Sequence, residues 1–422
     1  MLSLGVGCVL LASACSADDP VVDAVPITVE VGDDETSDGE TSDAAPPTTP
    51  TEDDAPAPST TEPSLPVDEP CDAEPSVFSR TDVTASGNRL APGVVDLTTP
   101  PLELDLGQRA AWVLSYPADD GPAWYVGLES GDAFIVRHDG TATPSVAPPG
   151  GAPPAIELRD GAPQVVSAYR DHDRFENPLP DTRVVSFDAY SAALVEPTDR
   201  YGHDVLGDAI EAAAVQILNE CTGESVRIDI ESPSVIEGIS PMLADLDGDG
   251  TPEVLVTTSN DQQGARLESY RVDGSVFARS DPIGQGFRWR NQLGVAPLGP
   301  DGSVQVVDVR IPHIGGVVEF FTVDGATLRR DATATPYTSH VIDSGNLDMG
   351  LLVDTTGDER PEVVLVTQDR DVLVALERTV DGVEEIARTP LRSTLATNIA
   401  VGDNSLAVGT ADGRLLIFGT TG

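Results

Sequence analysis

The sequence predicts an all-β protein, a β-propeller of seven four-stranded blades in which a strand from the N-terminal side closes the last blade. Three observations predict it. An Asp-Gly turn followed by a β-branched run recurs along the chain at intervals of 40 to 57 residues, and a fixed period of that size marks a repeat architecture. The 39 glycines and 35 prolines punctuate the chain as turns between many short strands do. Apolar stretches of helical period are almost absent, residues 205–218 being the nearest to one.

The chain opens on a short apolar run, residues 2–14, that ends in small residues before Cys15. It is too short to span a bilayer, which takes about 20 apolar residues, and it fits the apolar core of a secretory signal. The stretch Leu11-Ala12-Ser13-Ala14-Cys15 resembles a bacterial lipobox. The resemblance implies a signal peptide over 1–15 and a diacylglycerol on the Cys15 sulfur. Two features depart from the pattern: Ala12 stands where Leu is usual, and no Lys or Arg precedes the apolar run. An ordinary secreted protein is the alternative.

Residues 16–70 hold 16 acidic residues and no basic one, among Thr, Pro, Ser and Ala. Such a segment buries too little apolar surface to offset its ordering entropy, so a disordered linker is expected. A flexible chain of this length averages about 40–45 Å end to end, and like charges extend it. The propeller is then expected over 71–422. Of the four cysteines, Cys71 and Cys221 fall within it. They show no zinc spacing and form a candidate disulfide in an oxidising compartment.

Within the propeller the repeat reads DGPAWYVG at 120–127, DGAPQVVS at 160–167, DAIEAAAV at 208–215 and DGTPEVLV at 249–256. It continues as DGSVQVVD at 301–308, DERPEVVLV at 358–366 and DNSLAVG at 403–409. A second strand and often an Asp-Gly hairpin follow, as in LESYRVDG at 267–274 and VVEFFTVDG at 317–325. Asp-Gly suits a tight hairpin because it tolerates positive φ. Seven copies predict seven blades. Little chain follows the last copy, so the segment 76–105, which contains APGVVDLTT, is expected to supply the missing outer strand.

The formal charge is −47, from 71 acidic residues against 24 basic ones, all arginine. A chain this acidic is repelled by phosphate backbones, which argues against a nucleic-acid partner. Membrane contact is expected only through the lipid anchor, and the propeller is expected to be monomeric.

One motif carries chemistry. Asp245-Leu-Asp247-Gly-Asp249-Gly-Thr251-Pro-Glu253 places carboxylates at alternate positions of a turn whose glycines permit a sharp bend. Oxygen donors of Asp245, Asp247, Asp249, Thr251 and Glu253 suit Ca2+, which takes six to eight oxygens in flexible geometry. The first half looks like an EF-hand, but Val256 stands at the twelfth position and a strand-forming run follows where an EF-hand needs a helix. A DxDGDG loop leading into a β-branched strand resembles the FG-GAP/VCBS repeat, known from integrin α-subunit propellers and bacterial surface proteins. The resemblance is specific at 245–256 and weaker in the other copies. It implies a calcium loop at one rim of a propeller. A solvated acidic turn is the plain alternative. A second loop keeps Asp354, Asp358 and Glu362 but has Glu359 where the motif has glycine, so weaker metal binding is expected there.

Arg288, Trp289, His313 and His340 are candidate ligand contacts at one mouth of the ring. The alternative is that they satisfy strand ends. The five histidines show no HExxH spacing, and no GxSxG, P-loop or GxGxxG occurs; no catalytic residue is assigned. The expected function is a calcium-stabilised binding or scaffolding module outside the cytoplasmic membrane, lipid-anchored or secreted, with a protein or polysaccharide ligand. The alternatives are a propeller lyase or hydrolase acting on extracellular polysaccharide, and a periplasmic assembly factor. Fold alone does not separate them.

Overall fold

The computed structural model describes residues 85–119, 121–146, 153–159 and 162–419. The Cys15 leader, the 16–70 linker and Cys71 lie outside the described residues. Cys221 is disulfide-bonded, in the turn after the third strand of its sheet. Among the described residues there is no α-helix, only a 3-10 turn at His172–Arg174. The stretch nearest to a helix in the sequence contains strand Glu211–Asn219, which pairs on both sides.

After β1 (Leu90–Val94) and β2 (Leu102–Asp105), the strands β3 (Ala110–Ala118), β4 (Gly121–Leu128), β5 (Ala133–Arg137) and β6 (Ala142–Ser145) form an antiparallel meander. β7 (Pro154–Arg159) and β8 (Ala162–Ser167) form a hairpin. A second meander joins β9 (Val185–Phe187), β10 (Tyr190–Thr198), β11 (Glu211–Asn219) and β12 (Ser225–Asp229). The short β13 (Val235–Ile236) leads on to β14 (Met242–Ala244), β15 (Glu253–Ser259), β16 (Arg266–Tyr270) and β17 (Val276–Arg279). A further meander is β18 (Arg290–Ala296), β19 (Gln305–Arg310), β20 (Val317–Asp324) and β21 (Thr327–Ala334). The next follows β22 (Tyr337–Thr338) and holds β23 (Leu351–Asp354), β24 (Glu362–Thr367), β25 (Val372–Thr379) and β26 (Gly382–Pro390). The last has three strands of its own, β27 (Ala400–Gly402), β28 (Ser405–Gly409) and β29 (Arg414–Phe418). Its fourth is β2, antiparallel to β29 with Leu102 opposite Ile417.

These sheets pack face to face in chain order, which makes the fold a β-propeller. Tyr125 packs with Ile156 of the hairpin, and Trp124 with Leu415 and Ile417 of the closing sheet. Leu406 and Phe418 meet Val364 and Leu373, Leu365 and Val374 meet Phe320, Leu255 meets Val295 and Phe321, and Leu194 and Val215 meet Val254 and Tyr270. Most of these side chains are fully buried, each stabilising the fold by roughly 1.5–3 kcal/mol. A small sheet alone leaves one face wet; in the ring each face is covered by its neighbour.

Where seven four-stranded blades are expected, the described residues form six four-stranded sheets and the hairpin β7–β8. Six of the seven repeat copies open the second strand of their unit. The copy at 208 does not: its strand is β11, the third of its sheet. The second strand, β10, is entered instead through a turn at Asp188, which has φ 47°. The closing strand lies within the expected segment, at Leu102–Asp105, but APGVVDLTT does not supply it. That stretch holds most of β1, which runs parallel to β23 with Leu90 opposite Leu352 and Val94 opposite Asp354.

Candidate functional site

In an antiparallel meander all first-to-second connections lie on one rim of the ring. The second-to-third connections and the links between sheets lie on the other. The first rim carries both acidic loops.

The loop between β14 and β15 is built by its own carboxylates. Asp245 accepts the Gly248 N–H at Oδ1 (2.7 Å) and the Gly250 N–H at Oδ2 (2.9 Å). Glu253 Oε2 accepts the Leu246 N–H (2.9 Å), and Asp249 Oδ1 accepts the Thr251 N–H (2.7 Å). Gly248 and Gly250 have φ of 79° and 87°, the left-handed region that glycine enters without a Cβ penalty. Leu246 is buried and ties the loop to the core between sheets. The result brings one oxygen each of Asp245, Asp247 and Glu253 within 4.8 Å of one another. The Asp249 carboxylate is not in that group. Burial, and after it the neighbouring Asp247, Asp249 and Asp245, push the Glu253 carboxyl up to about 7 against the Leu246 N–H. Three hard oxygen donors that repel one another on a turn are a donor set suited to calcium.

The loop between β23 and β24 repeats this wiring. Asp354 accepts the Gly357 N–H at Oδ1 (2.6 Å) and the Glu359 N–H at Oδ2 (2.9 Å), and Glu362 Oε2 accepts the Thr355 N–H (2.6 Å). Glu359 adopts φ 67°, so a side chain stands in the conformation that Gly250 takes for free. The difference lies in the position of Thr251, here Arg360. Its guanidinium contacts Asp358 Oδ2 (3.0 Å) and Glu377 Oε1 (2.7 Å). Among the described residues, Asp354, Asp358 and Glu362 do not converge as the first set does.

The candidate ligand residues lie at the opposite rim. Trp289 and His340 are buried. The Trp289 indole N–H donates to the Glu237 carbonyl (2.9 Å), and its ring stacks on His313. His340 Nε2 lies 2.5 Å from the Ser344 carbonyl, and His340 Nδ1 lies 2.7 Å from His313 Nε2. A carbonyl only accepts, so His340 carries its proton on Nε2 and His313 donates to Nδ1. Both rings are neutral: burial pushes His340 down to about 3 and His313 down to about 4. Arg288 is exposed and reaches the Ile283 carbonyl at 3.4 Å. Trp289, His313 and His340 thus pack together, while Arg288 stands at the surface.

The ring's centre holds a group that the motifs do not signal. Asp348 takes Arg89 Nε at Oδ1 (2.9 Å) and Arg183 Nη1 at Oδ2 (2.6 Å). Burial alone would raise the Asp348 carboxyl; Arg183 and Arg89 outweigh it and hold it below its usual range. Gly87 and Arg89 line the space beside this triad. The two cavities left around it measure about 40 and 30 Å³, room for a few waters each.

No protein-family model matches the chain, and no curated protein matches it. Solved structures do. BBS1N in complex with ARL6DN is 12% identical with a TM-score of 0.42, over 76% of this chain and 97% of that one. BamB from Moraxella catarrhalis is 14% identical with a TM-score of 0.37, over 76% and 99%. The WD40 β-propeller domain of Doa1 is 11% identical with a TM-score of 0.40, over 76% and 97%. The fold described above rests on its own strand pairing and packing rather than on these likenesses.

Proposed function

We propose that this chain is an exported, lipid-anchored β-propeller of the FG-GAP/VCBS kind, stabilised by calcium at the 245–253 loop, that acts as a binding or scaffolding module for a protein or polysaccharide. One observation carries the calcium assignment: Asp245, Asp247 and Glu253 converge within 4.8 Å on a loop whose backbone N–H groups hold the carboxylates in place. These residues would hold the ion, which would neutralise their mutual repulsion and pin the rim. The anchor is assigned to Cys15 and the spacer to residues 16–70.

The test is thermal unfolding of the full chain in calcium and in chelator. A ligand that binds only the folded state raises the midpoint by mass action. The native protein is expected to show a calcium-specific rise that Asp247→Ala removes. An equal rise in that variant would take the site away from this loop, and no rise in the native protein would make the loop a solvated turn.

A further inference from the structure

Residues 85–95 touch five sheets in succession, and four of these hold no strand near them in sequence; the fifth is the closing sheet, which contains β2. The Ser186 N–H donates to the Ala85 carbonyl, and the Leu243 N–H to the Ser86 carbonyl. The Asn88 amide meets Val295 twice: Nδ2 donates to its carbonyl and Oδ1 accepts its N–H, both at 2.9 Å. The Leu352 N–H donates to the Arg89 carbonyl, and β1 then continues along β23. Asn404 Oδ1 takes the Val94 N–H, and the Asp354 carbonyl takes the Val95 N–H. Contact with β9, β14, β18 and β23 in turn is possible only because these first strands face one axis.

The fit is matched on both sides. Gly87 has φ 76°, and a Cβ there would lie 2.3 Å from the Pro241 carbonyl oxygen. Gly294, on the facing strand, would place a Cβ 2.8 Å from Asn88 Oδ1 and 2.7 Å from Leu352 Cδ1. The pairing of β18 with β19 shifts between Gln292 and Gly294, beside the Val295 backbone pair that the Asn88 side chain occupies. Arg89 is buried, its guanidinium shared between Asp348 and the Gln292 carbonyl. A segment that merely crosses a channel needs none of this. An extended peptide added to an exposed strand edge, with side-chain pockets setting its register, does.

We propose that the inner strands form a peptide-binding groove, and that residues 85–95 are its self-supplied ligand, held by recognition and not by chain continuity. The ligand class is an extended peptide with glycine followed by asparagine and arginine. Only the link through Asp96 to Pro101 ties it to the closing strand β2. There the Asp96 carboxylate accepts the Thr98 N–H and the hydroxyls of Thr98 and Thr99, while Leu97 is buried in the core and its carbonyl accepts the Thr389 hydroxyl.

The test keeps the full chain. A site-specific protease sequence is inserted between Pro100 and Pro101, and the folded protein is cut in reductant so that the disulfide at Cys221 retains nothing; uncut protein in the same reductant is the control. The N-terminal piece is expected to co-elute with the remainder and to be replaced by a labelled synthetic peptide of residues 85–99. A peptide carrying Asn88→Ala and Arg89→Ala is expected to compete at least about tenfold more weakly. Departure of the N-terminal piece from a remainder that keeps its fold overturns the proposal, as does equal competition by the substituted peptide. If cutting unfolds the remainder, added native peptide restores it under the proposal, and failure to restore it is also a refutation.

Discussion

Arg360 Nη2 lies 3.0 Å from Asp358 Oδ2, at the loop position that Thr251 holds beside Asp249. Two loops of one wiring thus differ in how closely an arginine stands: Arg360 lies against Asp358 in one, while in the other Arg271 Nη2 stays 3.9 Å from Asp247 Oδ2.

Arg360→Thr removes that built-in charge. The pair is more than one-third exposed on both partners, so its loss is expected to cost at most about 1 kcal/mol in chelator. The calcium-induced rise in unfolding midpoint is expected to be larger in the variant than in the native protein. Scanning calorimetry with and without calcium reads both, and an unchanged rise would show that Arg360 does not stand in for an ion.

Asp348→Ala leaves Arg89 and Arg183 buried without their carboxylate. Breaking a buried pair by removing one partner costs about 3–5 kcal/mol. Removing Arg227, whose partner Asp229 is mostly exposed, is expected to cost about 1 kcal/mol or less. Denaturant titration of the two variants compares them directly; similar midpoints would deny the triad its structural weight.

The histidine pair predicts a pH response. Both folded values, about 4 and about 3, lie below the ordinary 6.5. Between those limits the unfolded chain binds protons that the folded one refuses. The pair's contribution is therefore complete above pH 6.5 and is lost as pH falls toward 4 and then 3. The facing charged groups, His203 and Asp343 near His313, and Arg89 and Asp348 near His340, modulate the window without reversing it. The loss is expected to be several kcal/mol, most of it from the buried His340, with the His313 share reduced by screening. Stability measured from pH 7 to pH 4 should fall less steeply in a His313→Gln, His340→Gln double variant than in the native protein; equal slopes would remove the pair as the cause.

The blade repeat is legible in the sequence because its signals are local. Asp-Gly turns mark hairpins such as those at Gly274 and Gly325, both with positive φ, and the β-branched run after each turn becomes a second strand. The copy at 208 misleads for the same reason. Its acidic start and apolar run look like the others, while the turn at Asp188 that serves the sheet has no Gly beside it. Asp245, Asp247 and Glu253 are legible as well, since a tight turn brings residues within nine positions together whatever surrounds it.

By itself the sequence determined the class of fold, the tandem order of its sheets and the acidic rim loop, all of which follow from turn chemistry and strand period over a few residues. Tertiary structure alone decided the rest. It buried Trp289 and His340. It split β1 from β2, sending one to the axis and the other to the outer edge. It joined Asn88 to Val295 across 207 residues and Arg89 to Asp348 across 259. A glycine, an asparagine and an arginine in a polar stretch carry no period and no motif. Their meaning comes from a groove that exists only when five sheets have closed around them.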